Sequence, residues 1–320
     1  MPLYAGIEIG GTKLQLVVGD ETGKITQRRK FAVEPAKGAA VIREQIQRAM
    51  PDLTRANNIE SVGVGFGGPA DWKTGRICRS HQIEGWSEFD LGGWLGQLSG
   101  LPVFVDNDAN AGALGEARHG AGVGFNPVFY VTLGSGVGGG LVVDGKVYHG
   151  ATPGEAEIGH VRLDRIGTTV ESRCSGWALD AMIRQLTTKE PTGALARRLG
   201  DTPGGEAKQL AAALEQGDAT ARRVLNQTAE DLAFGLSHVV HLFHPAVIVL
   251  GGGLSGVGEP LRATVEKALR NFVMDAFAPG PRVALAGLGE DAVPVGAVEL
   301  ARAMMEDGRA GDARCVRRDE

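Results

Sequence analysis

The stretch Leu3–Val18 (LYAGIEIGGTKLQLVV) decides the fold, and Val128–Val143 (VFYVTLGSGVGGGLVV) repeats its design. In each stretch an apolar strand enters a glycine turn and a second apolar strand leaves it. Both turns combine small residues with one hydroxyl group: Gly10, Gly11 and Thr12 in the first, and Gly134, Ser135 and Gly136 in the second. Glycine lets the backbone bend sharply, and the converging N–H groups of such a turn suit an anion, above all phosphate.

One glycine turn would be weak evidence, because many hairpins need glycine for geometry alone. Two copies, each opening an α/β half, predict two lobes that clamp one polyphosphate from opposite sides, as in an ATP cleft. Lys13 follows the first turn. It either neutralises phosphate charge or is an ordinary solvated lysine at the start of a strand.

The composition is that of a soluble globular protein with two domains. Of its residues, 43% are hydrophobic and 22% are charged, which is ordinary for a globular protein. A length of 320 residues is enough for two well-buried cores. The net charge of −5 argues against nucleic acid as the main partner. We expect a cytoplasmic protein without a membrane segment or signal peptide, because no apolar run is long enough to span a bilayer and the chain enters a strand at once.

Strands separated by helical segments predict an α/β fold. We expect an N-terminal lobe over residues 1–108 that is completed by a C-terminal helix over 293–305. The C-terminal lobe is expected over 109–292. The charged segment 306–320 lacks periodicity and is predicted to be a disordered tail.

Two polar clusters carry candidate chemistry. Asp108 follows Asp106 and Asn107 at the end of a predicted strand and precedes a predicted helix. It is either a helix cap or a catalytic carboxylate. Glu157 and His160 lie three residues apart. From the spacing alone they are either a solvated pair on a helical turn or part of a functional site that needs both hydrogen-bond donors and acceptors.

Five segments, in this order, resemble the ROK family of sugar kinases and sugar-responsive repressors: IEIGGTK, VFVDNDANAGALGEA, VTLGSGVGGGLVVDGK, GEAEIGH and VIVLGGGLS. The resemblance runs from about Gly6 to Arg302. It implies the two-lobed actin-like (RNase H-like) ATPase fold, with a duplicated glycine-turn hairpin and a cleft between the lobes.

The resemblance also implies roles for individual residues. Asp108 corresponds to the general base that accepts the proton of the sugar hydroxyl. The sugar-binding positions that it implies are Gly68, Asn107, Glu157, His160 and Glu171. The nucleotide positions are Gly10, Gly11, Thr12, Lys13, Gly134, Ser135, Gly136, Gly251, Gly252 and Gly253. Glu8 stands near the Mg²⁺ position, where most members have aspartate.

The chain departs from the family at the cysteine-rich zinc motif. Between His160 and Glu171 lie only the residues VRLDRIGTTV, without a cysteine. We therefore expect no zinc site, a buried apolar Cys174, and a short loop packed by Val161, Leu163, Ile166 and Val170. Glu171 is then a sugar ligand brought closer by loss of the zinc loop, or a surface carboxylate.

The expected function is ATP-dependent phosphorylation of a hexose or hexose derivative at its 6-hydroxyl, with ATP and Mg²⁺ as cofactors and a homodimer as the assembly. Gln82 replaces a sugar-contacting asparagine common in the family, which leaves the preferred sugar open. One alternative is a kinase for an N-acetylhexosamine, such as N-acetylmannosamine or N-acetylglucosamine. Another is a non-catalytic, sugar-binding regulator of the same family.

Overall fold

The computed structural model describes residues 1–80, 83–152, 154 and 156–316, and their side chains except those of 55–57 and 307–316. Gln82, singled out above, lies outside the described residues. The chain divides into two compact units. The first is formed by Met1–Val123, Gly140–Glu155 and Glu290–Glu320, and the second by Gly124–Gly139 and Ala156–Gly289.

The strands of the described residues are β1 Leu3–Ile9, β2 Lys13–Asp20, β3 Ile25–Ala32, β4 Ile59–Phe66, β5 Ala70–Asp71, β6 Arg76–Ile77, β7 Val103–Asn107, β8 Val128–Leu133, β9 Val137–Val143, β10 Lys146–Val147, β11 Val247–Gly251 and β12 Arg282–Leu285. The α-helices of the same residues are α1 Gly38–Asn57, α2 Leu91–Ser99, α3 Asp108–His119, α4 Val170–Cys174, α5 Gly176–Lys189, α6 Ala194–Arg197, α7 Leu210–Glu215, α8 Ala219–Phe243, α9 Glu259–Leu269 and α10 Ala292–Val316.

The first sheet has the strand order β3-β2-β1-β4-β7. Strand β1 is antiparallel to β2 and parallel to β4, and β4 is parallel to β7. Side chains alternate between the faces of a strand. Ala5, Ile7 and Ile9 accordingly join the core that includes α1 and α2, whereas Tyr4 packs with Val298 of α10. The sheet is therefore covered on both faces.

The second sheet has the order β10-β9-β8-β11-β12. Strand β11 pairs in parallel with both β8 and β12. Every residue of β11 is buried, as expected for a central strand covered on both faces. Both predicted hairpins are present, and the glycine turns join β1 to β2 and β8 to β9.

The first unit differs from the predicted N-terminal lobe. Helix α3 was expected in the C-terminal lobe but belongs to the first unit. Its backbone lies directly against α10, where a Cβ on Gly115 would come 2.5 Å from the Ala292 carbonyl oxygen. A side chain on Gly296 would likewise overlap the Ala111 carbonyl oxygen. Such contacts form only between small residues, and the sequence pattern of α3 does not reveal its partner.

The C-terminal helix also extends further than predicted. Helix α10 continues to Val316, through most of the segment expected to be a disordered tail. Its sequence there, EDGRAGDARCV, contains two alanines and two arginines, which favour helix, and also two glycines, which do not. Among the described residues, no helix is both long and apolar enough to cross a membrane.

A buried carboxylate joins α10 to the end of α3. Glu299 is 2% exposed, and it accepts from Arg302 at 2.6 Å and lies 3.2 Å from Nε2 of His119. Burial alone would raise the pKa of Glu299, but the hydrogen bonds from Arg302 and His119 outweigh it and lower the pKa to about 2.

The lowered pKa of Glu299 predicts that acid reduces the stability of the fold. Because the pKa of Glu299 is lower in the folded than in the unfolded state, its stabilisation is complete above about pH 4.5 and is lost as the pH falls towards 2. We expect Glu299→Gln to reduce the free energy of unfolding by about 3 kcal/mol at pH 7. The deficit should shrink near pH 2 to 3. Urea denaturation of both proteins across this range measures it, and a pH-independent deficit would contradict the assignment.

Candidate active site

The first glycine turn lies between β1 and β2 and presents backbone donors. The Gly10 amide donates to the Lys13 carbonyl oxygen at 2.9 Å, which closes the turn. Among the described hydrogen bonds, none uses the amides of Gly11 and Thr12, and the Thr12 side chain is exposed. This arrangement offers two N–H groups and a hydroxyl to an anion.

Lys13 is paired with a buried carboxylate beside this turn. Its Nζ lies 3.0 Å from Oε1 of Glu8, and the Gln15 amide donates to Oε2 of Glu8 at 2.7 Å. Glu8 is 5% exposed. Burial raises its pKa, although Lys13 and Gln15 oppose the rise. Lys13 is therefore not the freely solvated lysine that the sequence left open.

Glu8 is the acidic residue nearest in sequence to this turn. Mg²⁺ in a phosphoryl-transfer site needs only one or two carboxylates, since phosphates and waters complete its shell. Glu8 offers one such carboxylate, and its two oxygens are engaged by Lys13 and Gln15. Within the described residues there is no group of three or more His, Cys, Asp or Glu side chains that could hold a metal ion.

Asp108 begins α3 but does not supply its cap. The N-cap is Asn107, whose side-chain oxygen accepts from the amides of Ala109 at 2.8 Å and Asn110 at 3.3 Å. The Asn107 amide nitrogen donates to the Gly68 carbonyl oxygen at 3.2 Å. The cap interpretation that the sequence left open for Asp108 therefore belongs to its neighbour.

Asp108 lies near the first glycine turn. A Cβ built on Gly67 would be 3.4 Å from Oδ2 of Asp108 and also 3.4 Å from the Cα of Gly10. The Gly67 amide donates to the Ile9 carbonyl oxygen at 2.8 Å. Within the first unit, the predicted base, the predicted sugar-binding Gly68 and Asn107, and the predicted phosphate turn thus converge.

The second glycine turn has a similar internal bond, from the Gly134 amide to the Gly136 carbonyl oxygen at 2.9 Å. Helix α5 begins against it, and the Gly176 amide donates to the Gly134 carbonyl oxygen at 2.7 Å. The described hydrogen bonds leave the amides of Ser135 and Gly136 unused. Gly252 packs against the turn as well, since its Cβ would lie 2.6 Å from the Leu133 carbonyl oxygen.

Glu171 lies on this turn, a position that the sequence did not predict. Its Oε2 accepts from the Val137 amide at 2.9 Å, and a Cβ on Gly136 would come 2.6 Å from the same oxygen. Glu171 is therefore not an unattached surface carboxylate. Its bond to Val137 also shows that a backbone amide at this turn donates to an anionic oxygen.

Glu157 and His160 flank a single 3-10 turn that packs on β9. Gly159, between them, lies so close to the Val137 carbonyl that no Cβ would fit. The side chains of Glu157 and His160 are 45% and 75% exposed, and Oε2 and Nε2 are 4.0 Å apart. In the second unit the structure places these two residues, Glu171, Gly134–Gly136 and Gly251–Gly253 around one hairpin. All of them except the buried Gly251 are exposed or partly exposed.

The short loop in place of the zinc motif is closed by its own hydrogen bonds. Oδ1 of Asp164 accepts from the amides of Ile166, Gly167 and Thr168 at 2.9 to 3.0 Å. Ile166 is 92% exposed, so the prediction that it packs the loop is wrong. The amide bonds to Asp164 hold Ile166 at the outer end of the turn, where it has no core to enter.

Cys174 is fully buried at the end of α4. Its thiol donates to the Thr228 carbonyl oxygen at 3.7 Å, and burial raises the pKa of the thiol. A metal ligand must be a thiolate, which this surrounding disfavours. Cys174 therefore has the buried, neutral character that the sequence predicted for it.

Comparison with known proteins identifies the chain's relatives. The family model described as "ROK family" matches residues 4–304. The chain belongs to the ROK family.

The similarity extends over nearly the whole length of two glucokinases and over a smaller share of a repressor. A glucokinase of Streptomyces coelicolor is 33% identical over 314 residues, covering 94% of this chain and 98% of that protein. The ROK family glucokinase from Streptomyces griseus, solved with glucose and AMPPNP, is 35% identical and has a TM-score of 0.82. The match covers 94% of this chain and 99% of that chain. A putative xylose repressor of Caldicellulosiruptor sp. is 28% identical over 284 residues, covering 83% of this chain and 70% of the repressor.

These ROK relatives confirm two predictions. The mixed α/β chain has the actin-like ATPase fold of its structural neighbours, and it is similar to sugar kinases of the ROK family over more than nine-tenths of its length. The similarity supports sugar phosphorylation as the class of activity.

We expect this ROK protein to fold without zinc. Structural zinc needs four ligands, typically thiolates and imidazoles, whereas the region offers His160 and a buried, neutral Cys174. Elemental analysis after purification without added metal should find no stoichiometric zinc, and a strong chelator should leave the melting temperature unchanged. Stoichiometric zinc with a chelator-induced fall in melting temperature would contradict this.

Proposed function

We propose that the protein catalyses ATP-dependent phosphorylation of a hexose or hexose derivative at its 6-hydroxyl, with Asp108 as the general base. The observation that carries this proposal is the position of the Asp108 carboxylate, close to Gly67 and to Gly10 of the first turn. The glucokinases of similar sequence support it, as does the relative solved with glucose and AMPPNP.

ATP would supply the phosphoryl group, and Mg²⁺ would offset its charge. On the protein side, the amides of Gly11, Thr12, Ser135 and Gly136 would donate to phosphate oxygens, and Lys13 would add a positive charge. Gly251–Gly253 would accommodate the adenosine, and Glu8 would face the metal. Backbone donors fixed before binding cost no reorganisation, which is how such turns stabilise transferred charge.

Asp108 would orient the attacking hydroxyl and accept its proton. Phosphoryl transfer has a loose transition state, so the proton moves late and orientation matters more than strong basicity. Asn107 keeps α3 and Gly68 in place while contacting the sugar. Glu157, His160 and Glu171 would bind further hydroxyl groups through paired donors and acceptors.

The identity of the sugar follows from which hydroxyl or acetamido group finds a partner. An N-acetylhexosamine is the second candidate substrate within the same reaction. A coupled assay for ADP release across hexoses and N-acetylhexosamines decides between them. A sugar-binding regulator is the competing function, favoured by the similarity to a xylose repressor. Sugar binding without ADP release would support that function and contradict the kinase proposal.

We also propose a homodimer, which sedimentation would test.

Asp108→Asn should lower kcat by about two orders of magnitude or more, because the amide keeps the shape but cannot accept the proton. Sugar affinity, measured by calorimetry, should change little.

Asp90→Asn is a matched control in the same unit. Asp90 caps α2 by accepting from the Gly93 amide at 3.0 Å, and asparagine caps a helix as well as aspartate does. We expect its kcat to equal that of the parent. If Asp108→Asn also retains kcat within a few-fold, Asp108 is not the base.

A further inference from the structure

A buried carboxylate lies two residues before the proposed base. Asp106 is in β7 and is 2% exposed. Its Oδ1 accepts from the Asn107 amide at 2.8 Å and from Nδ2 of Asn110 at 2.9 Å. Its Oδ2 lies 2.6 Å from Nε2 of His149. A carboxylate removed from water needs such partners, and these come from two distant parts of the sequence.

His149 is itself held in place. Its ring stacks on the indole of Trp72, with centroids 4.3 Å apart and planes 15° from parallel, and its side chain is 15% exposed. Trp72 Nε1 is buried and has no hydrogen-bond partner among the described residues, so the indole is held by ring contacts: the stacking on His149 and Lys73 Nζ, 5.5 Å from its ring centroid. The imidazole is thus fixed by a ring on its face and a carboxylate at its edge.

The Asp106 carboxylate fixes the junction between β7 and α3. Asn107, which receives one bond from it, caps α3 and holds Gly68. Asn110, which supplies the other, also donates to the Gly154 carbonyl oxygen at 3.1 Å. Asp108 lies between these two residues in the chain. A shift of Asp106 would therefore move the backbone that carries the proposed base.

We propose that His149 is a positioning residue for the phosphoryl transfer: it donates its Nε2 hydrogen to Asp106 and thereby fixes the β7–α3 junction that carries Asp108. The effect of His149 on catalysis rests on the proposed function. Its role in fixing the β7–α3 junction rests on the geometry alone. His149 is not a member of the sugar-binding or nucleotide-binding residues assigned above.

The test compares His149→Leu, which removes the donor, with His149→Gln, whose amide nitrogen can replace Nε2. The matched controls are His119→Leu and His119→Gln. His119 also contacts a buried carboxylate of the first unit, that of Glu299. The two pairs are equally buried: the side chains of His119 and Glu299 are 17% and 2% exposed, and those of His149 and Asp106 are 15% and 3% exposed. His119, however, lies at the far end of α3.

Steady-state kinetics with the sugar that the parent phosphorylates gives the first readout. We expect His149→Leu to lower kcat about tenfold or more with little change in the sugar KM, because small displacements of a reacting group are costly. His149→Gln should recover most of the loss. The His119 variants should lose thermal stability but retain kcat. Equal losses in both leucine variants, or no recovery by glutamine, would overturn the proposal.

Amide hydrogen exchange of the ligand-free proteins gives a readout that needs no activity. Peptides covering 104–112 should exchange faster in His149→Leu than in the parent, in His149→Gln or in the His119 variants. Unchanged exchange there would overturn the positioning role. Faster exchange with unchanged kcat would overturn its link to catalysis. If the parent phosphorylates no sugar, the proposed kinase function fails and the exchange result alone decides whether His149 fixes the junction.

Discussion

The bonds made by the Asp106 carboxylate are the constraint on which the first unit's candidate site depends. A parallel strand and the helix that follows it must change direction within one or two residues, and β7 meets α3 without an intervening loop. The turn is held because Asp106 binds the Asn107 amide and Asn110, while Asn107 caps the helix. Two neighbouring polar side chains, those of Asp106 and Asn107, thereby hold the junction from which Asp108 begins α3.

Close approach of backbone to backbone is the second constraint, and it explains the glycine content better than flexibility does. A side chain on Gly63 or Gly296 would overlap a carbonyl group of another element, so β4, α3 and α10 pack nearer than larger residues allow. At Gly176 and Gly252 the same closeness supports the Gly134 turn. The two turns can present amides to an anion because the surrounding backbone is fixed by contacts of this kind.

The sequence predicted the local features and missed those that depend on partners distant in the chain. Both hairpins and the α/β class follow from apolar runs bounded by glycine, and the structure has them where expected. Strand β3 was missed because its residues are largely polar and only partly buried, as at a sheet edge. The assignment of α3 to the first unit was missed because Gly115 meets α10 far along the chain. No spacing rule links His149 to Asp106.

The second glycine turn is supported by the short loop that follows His160. In this chain the residues between His160 and Glu171 form a tight loop around the Asp164 carboxylate, and α4 then starts with its own capping box at Thr169. This path brings Glu171 to the Val137 amide, on the strand against which Gly159 also packs. Backbone hydrogen bonds and close glycine contacts thus hold two polar segments beside this hairpin. The contacts that hold this short loop therefore come from β9 and from the Asp164 carboxylate.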